Sequence, residues 1–257
     1  MSNHIKYQWR ITKYNPDFRN KEGHYTKELE WTSPSHIGKT IYGETFTLEK
    51  YLEIETAYIN TIMKFLHVNH IKSLTMINTT YINVDINSSL YNQLYDKELD
   101  KIHLKDDQEV TIDQIPVITK MVLWGFLFCH FIAADFFVHF GDDYYMFIGT
   151  NHYQEEPLQF ARENHLFVEE MVSPFYISEE NIERLIMWTP INEDIVVGEE
   201  ILTDISLEKY REILHLSNIH PVVGVFPITA SNQPFFQKKL KHKMDMYKYQ
   251  YYLSAGD

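Results

Sequence analysis

Cysteine is almost absent from this chain of 257 residues: Cys129 is the only one. An intramolecular disulfide is therefore excluded, which suits a reducing compartment. Cys129 lies in the apolar run Met-Val-Leu-Trp-Gly-Phe-Leu-Phe-Cys-His and reads as a buried, inert thiol. Glycine and proline are scarce, nine of each, so long flexible linkers are not expected. Long apolar runs are missing too. The most apolar stretch, 121–134, is interrupted by Gly125 and His130 and falls short of the roughly 20 residues a spanning helix needs. The opening MSNHIKYQWR has no apolar segment and does not read as a secretory signal. These absences predict a cytoplasmic protein with no membrane partner. No internal repeat and no low-complexity tract is visible.

The familiar chemical motifs are also missing. There is neither Gly-x-x-x-x-Gly-Lys-Ser/Thr nor Gly-x-Gly-x-x-Gly, and the Gly-Lys-Thr at 38–40 lacks the upstream glycine that would let Lys39 serve a phosphate loop. There is no Gly-x-Ser-x-Gly, and Cys129 and His130 are chain neighbours that point to different faces of a helix. No cofactor is expected.

What is present is a globular composition. Hydrophobic residues make up 44% and charged residues 23%, so disorder is not expected. Aromatics reach 15%, chiefly 18 Tyr and 16 Phe, and many of those rings must build the core. The net charge of −13 is uneven: residues 155–212 hold 15 acids against 4 bases, and residues 213–257 hold 5 lysines against 2 aspartates. An acidic balance repels nucleic acid and attracts basic partners, although it also serves plain solubility.

Periodicity and capping predict an α+β chain with mixed or mainly antiparallel sheet. Strands are expected at 6–14, 71–77, 166–172, 222–226 and 247–253. Helices are expected at 47–67 with Thr47 as N-cap, near 90–99, at 155–164, at 178–188 with Ser178 as N-cap, at 206–216 with Ser206 as N-cap, and at 235–246. A central buried helix at about 112–131 follows from a Thr111/Gln114 capping pattern and apolar residues all round. A β-hairpin at about 135–149 folds about Gly141-Asp142-Asp143, with Gly141 supplying the positive φ. The whole, 1–257, reads as one compact domain, with any weak subdivision near 150–156.

Three groups of residues are candidates for function. Asp142 and Asp143 read first as turn residues; with Tyr144 and Tyr145, one of which should face solvent, they form a contact patch for a protein partner. Glu179 and Glu180, at the start of the expected 178–188 helix, extend an acidic surface. His130, Asp135 and His139 are the alternative, a metal site if the helix-to-strand transition brings them together; His67 and His70 form a weaker pair. The basic segment 235–243 is the one place where nucleic acid could bind.

The segments Trp9-Arg-Ile-Thr-Lys-Tyr-Asn-Pro16 and His139-Phe-Gly-Asp-Asp-Tyr-Tyr-Met146 together resemble conserved hypothetical proteins of Bacillus-type bacteria. The resemblance covers most of the chain and implies a cytosolic bacterial protein, with no activity and no residue roles attached. The expected function is a non-catalytic protein that binds a partner with a basic surface, of the toxin-immunity or inhibitor type. The alternatives are a metal-dependent hydrolase or nuclease at the His/Asp group, and a structural or regulatory subunit of an oligomer.

Overall fold

A computed structural model describes residues 5–22, 24–26, 31–41, 43–82, 85, 87–176, 182–193 and 195–256. The chain divides into two compact units, Ile5–Ser173 and Pro174–Asp257. Residues 150–156, where the sequence placed its weak subdivision, lie inside the first unit. Each unit has its own buried core. The architecture is α+β with antiparallel sheets.

The first unit runs β1 (Tyr7–Thr12), β2 (Thr40–Ile41), β3 (Glu44–Thr45), α1 (Leu48–Val68), β4 (Ser73–Tyr81), α2 (Ser89–Leu94), β5 (Gln108–Thr111), α3 (Ile115–Trp124), β6 (Leu127–Ala133), β7 (Phe136–Phe140), β8 (Met146–Thr150), α4 (Glu155–Glu163) and β9 (Phe167–Glu170). Seven of its strands form one sheet in the order β5-β4-β6-β7-β8-β1-β9, every pairing antiparallel. Alternation sends Trp9, Ile11, Leu74, Met76, Cys129, Phe131, Val138, Met146 and Ile148 to one face. There they pack with Tyr58, Ile62 and Phe65 of α1, Ile118 and Met121 of α3, and Leu158 of α4. Burial pushes the Cys129 thiol well above its ordinary range, so it is an inert core group.

Helix α1 forms where its periodicity predicts it, and Thr47 accepts the Lys50 N–H as its cap. The expected 112–131 helix is half as long. It ends at Trp124, because Gly125 takes φ 81° and turns its N–H back onto the carbonyls of Met121 and Val122. Residues 127–131 then continue as β6. An unbroken apolar run does not distinguish a buried strand from a buried helix, and pairing with β4 and β7 decides for strand.

On the sheet's other face, Phe137 lies opposite Gly149. A Cβ on Gly149 would stand 2.2 Å from the Phe137 ring, so the ring covers the glycine backbone.

The second unit runs β10 (Arg184–Pro190), β11 (Gly198–Ile201), α5 (Leu207–Leu214), β12 (Gly224–Pro227), α6 (Gln233–Gln237) and β13 (Tyr249–Ala255), with sheet order β11-β10-β13-β12. Its core joins Ile186, Tyr251, Leu253 and Ala255 of the sheet to Tyr210 of α5 and Phe236 of α6. The expected 178–188 helix is corrected here: residues 184–188 are strand, paired along their length with β13. Residues 177–181 lie outside the described residues. The expected 235–246 helix shrinks to the short α6, and the chain after it is held in turns. Gly198 repeats the device of Gly149: it lies opposite Trp188, whose ring a Cβ would meet at 2.3 Å.

Candidate functional site

The hairpin between β7 and β8 was expected to carry a contact patch. Its tip is a four-residue turn in which Tyr145 N–H donates to the Asp142 carbonyl at 3.1 Å. The two central residues both have positive φ, Asp143 at 51° and Tyr144 at 65°, as a type I′ turn requires. Gly141 is not the positive-φ residue that the sequence suggested. The extra twist turns Tyr144 inward. It is buried, its ring meets Trp31 edge-on at 4.9 Å, and its carbonyl accepts the Tyr58 hydroxyl. A tyrosine in the left-handed region costs about 1–3 kcal/mol, which ring burial and that hydrogen bond offset. Of the proposed patch, Asp142 and Asp143 are exposed and Tyr145 is half-buried. The Arg10 and Arg19 guanidinium groups lie over the Tyr145 ring at 5.6 and 5.8 Å, and both arginines bond Glu169 at 2.9 Å. Glu179 and Glu180 lie outside the described residues.

The alternative metal group does not assemble. His130 and His139 come together on neighbouring strands, ring centroids 4.8 Å apart. Asp135 sits in the tight turn between those strands, half-exposed, with His152 as its partner at 3.5 Å. The strand geometry that pairs the histidines sends the turn residue away from them. Each ring is also committed to another contact. His130 Nδ1 accepts the Phe140 N–H at 3.2 Å, and His139 Nδ1 shares a proton with the Ser173 hydroxyl at 2.9 Å. Burial lowers the pKa of His130 to about 4 and that of His139 well below its ordinary value, so both rings are neutral at pH 7. Among the described residues no three His, Cys, Asp or Glu side chains stand close enough to hold a metal ion. His67 and His70 do border a shallow cleft of about 540 Å³ with Lys64, Gln154, Glu155 and Glu156.

A cluster the sequence reading missed lies under the hairpin tip. Tyr51 and Glu55, one turn apart on the inner side of α1, face Tyr144. Glu55 is 4% exposed. The Tyr51 and Tyr144 hydroxyls and Glu55 Oε2 are buried without a hydrogen bond of ordinary geometry, yet they are near enough to perturb one another's titration. Desolvation raises the Glu55 carboxyl, outweighing the Tyr51 hydroxyl and the attraction of Lys120. The signal was present in the sequence: Tyr51, Glu55, Tyr58 and Ile62 share one helical stripe, and Glu55 is its one acid.

The second unit presents a different kind of feature. Strand β11 is an edge, with β10 on one side and no strand on the other among the described residues. The chain enters it through Ile195, Val196 and Val197, all exposed, Ile195 to 68%, and leaves it at Ile201, exposed to 53%. Gly198 and Glu200 turn their backbone groups toward β10, which leaves those of Glu199 and Ile201 directed outward. Glu193 and Glu199 are exposed beside this apolar run. A bare edge strand with exposed aliphatic residues is a template for a further strand. The sequence did contain the run Ile195-Val196-Val197 between acids; what it lacked was the sheet order that makes it an edge.

No helix among the described residues is long and apolar enough to cross a membrane. No curated protein matches the chain. Residues 191–254 match the profile of a family described as a domain of unknown function (DUF7683), an uncharacterised family with nothing in the match that links it to Bacillus-type bacteria. β10 precedes the matched segment although it stands between β11 and β13, so the structural unit is larger than the match.

Proposed function

We propose that this protein is a non-catalytic binding protein of the inhibitor or immunity type, and that it takes an extended, basic segment of a partner protein along β11. The observation that carries this reading is the open edge itself. Outward backbone groups at Glu199 and Ile201 offer the main-chain hydrogen bonds of strand addition, and Ile195, Val196, Val197 and Ile201 offer apolar anchors. The occupant's charge follows from Glu193 and Glu199, exposed beside those anchors. Affinity from the main chain and selectivity from side chains is a division that suits recognition and needs no reacting group.

Capture from the native host with the full chain, followed by hydrogen exchange on the complex, tests the reading. A partner recovered in near-equal amount should slow exchange of the Glu199 and Ile201 amides, and Val196→Asp should abolish recovery while leaving the thermal midpoint unchanged. A partner that leaves those amides unprotected places the contact elsewhere. Dimerisation of the isolated chain with the same protection would make a second copy the occupant and overturn the proposed partner.

A further inference from the structure

The segment after α6 is a lysine-rich loop whose backbone is held by hydrogen bonds. Lys238, Lys239, Lys241, Lys243 and Lys248 are all exposed. Among the described residues Lys238, Lys239, Lys241 and Lys243 form no ion pair, and Lys248 meets Asp245 at 3.7 Å. Glu200 is engaged otherwise. Its two oxygens accept the backbone N–H groups of Lys241 and His242 at 2.7 and 3.0 Å, which leaves the lysine side chain to solvent.

Other bonds hold the same loop. Gln237 accepts the Met244 N–H and donates to the His242 carbonyl, and the Tyr251 hydroxyl accepts the Asp245 N–H. Asp245 in turn accepts the Tyr247 N–H and so closes the next turn. The His242 ring is stacked on Trp188 at 4.1 Å. This frame leaves Tyr247 at 95% exposure, with no packing of its own, between Lys243 and Lys248 along the chain.

We propose that this loop is a binding surface for single-stranded nucleic acid, in which the lysines neutralise phosphates and Tyr247 stacks on a base. A fixed basic backbone track with a free aromatic ring is what sequence-tolerant single-strand binding uses. An acidic protein face would be met by the lysines alone and gives an exposed ring nothing specific to do. The net charge of −13 does not forbid the contact, since charges more than about 8 Å away are screened at physiological ionic strength. The surface is the loop's lysines and Tyr247; Glu200 ties the loop backbone to β11, but binding at the loop does not depend on whether the β11 edge takes a partner.

The test is fluorescence anisotropy of the full chain with labelled 20-nucleotide oligo-dT and oligo-U at several salt concentrations. Binding should weaken with salt, and Lys241→Gln with Lys243→Gln should reduce the log–log slope by about 0.7 per lysine. Tyr247→Ala should weaken binding by about fivefold or more, with Tyr247→Phe close to wild type. All three positions are exposed, so thermal midpoints should not move. Polyglutamate that displaces the oligonucleotide at equal charge, with Tyr247→Ala silent, would assign the loop to an acidic protein instead. No binding at 50 mM salt would overturn the proposal.

Discussion

The hydroxyl of Tyr58 donates to the carbonyl of Tyr144 at 2.6 Å, joining the middle of α1 to the tip of the β7–β8 hairpin. The same oxygen accepts the Lys13 N–H at 2.8 Å. One side chain thus bonds two buried backbone groups, the second at the point where the chain has just made two positive-φ steps.

Tyr58→Phe should therefore cost more than one ordinary hydrogen bond. It removes the bonds to the Lys13 N–H and the Tyr144 carbonyl, and a buried group that loses its partner costs about 1–3 kcal/mol. A loss of about 2–4 kcal/mol in denaturant unfolding is expected. A loss under about 0.5 kcal/mol would mean that water reaches both groups.

Gly149 is required by its neighbour, since its backbone is not in the left-handed region. Gly149→Ala drives a methyl into the Phe137 ring and should destabilise by about 1–3 kcal/mol. Phe137→Leu removes the obstacle. In the double variant Gly149→Ala should cost less than it does alone, and additive losses would show that the ring is not the cause.

Two buried groups give the first unit opposite pH responses. His130 is neutral when folded because burial lowers it from 6.5 to about 4. Its unfolded form takes a proton first as pH falls. Stability is therefore full above pH 6.5 and is lost on the way down to about pH 4, by on the order of 3 kcal/mol. His130→Asn keeps an acceptor for the Phe140 N–H without titrating and should make that limb shallower, leaving the part that belongs to the buried His139. Glu55 works the other way. Its folded pKa is raised, so its contribution is full below the unfolded carboxyl value and is lost as pH rises through the folded one. Glu55→Gln should be neutral near pH 4 and stabilising at pH 7. Unfolding curves across pH 4–8 separate the two, and a Glu55→Gln variant less stable at pH 7 would show that the charged carboxylate is the form the fold selects.

What the sequence made legible was local. Helix α1 was readable because Thr47 caps it and its apolar stripe repeats over many turns. The hairpin was readable because apolar strands flank a polar turn. Residues 127–131 and 184–188 were misassigned for one reason: an apolar run, or acids behind a serine, satisfies helix rules until a distant strand competes for the same backbone groups. β13 is such a strand for β10, and it lies more than fifty residues downstream. The site was less legible than the fold. Tyr144 and Tyr145 were readable as one inside and one outside, but which ring turns inward depends on the two positive φ values. Ile195-Val196-Val197 became a candidate surface only once the sheet order placed β11 at an edge.

The reading of β11 as a site for a basic segment makes a kinetic prediction. Exposed carboxylates act over about 8 Å at physiological ionic strength, so they accelerate encounter more than they hold the complex. The association rate with the captured partner should fall steeply as salt rises. Glu193→Lys with Glu199→Lys should slow association by tenfold or more at low salt while dissociation changes by about threefold or less, because the apolar anchors and strand hydrogen bonds that set residence time are untouched. Both side chains are exposed and outside the core, so stability should stay within about 0.5 kcal/mol. Stopped-flow kinetics over a salt series measures both rates. A salt-independent association rate would remove electrostatic steering and leave the acidic residues beside β11 as a solubility feature. A variant that instead raised only the dissociation rate would show that the two carboxylates hold the bound segment rather than steer it.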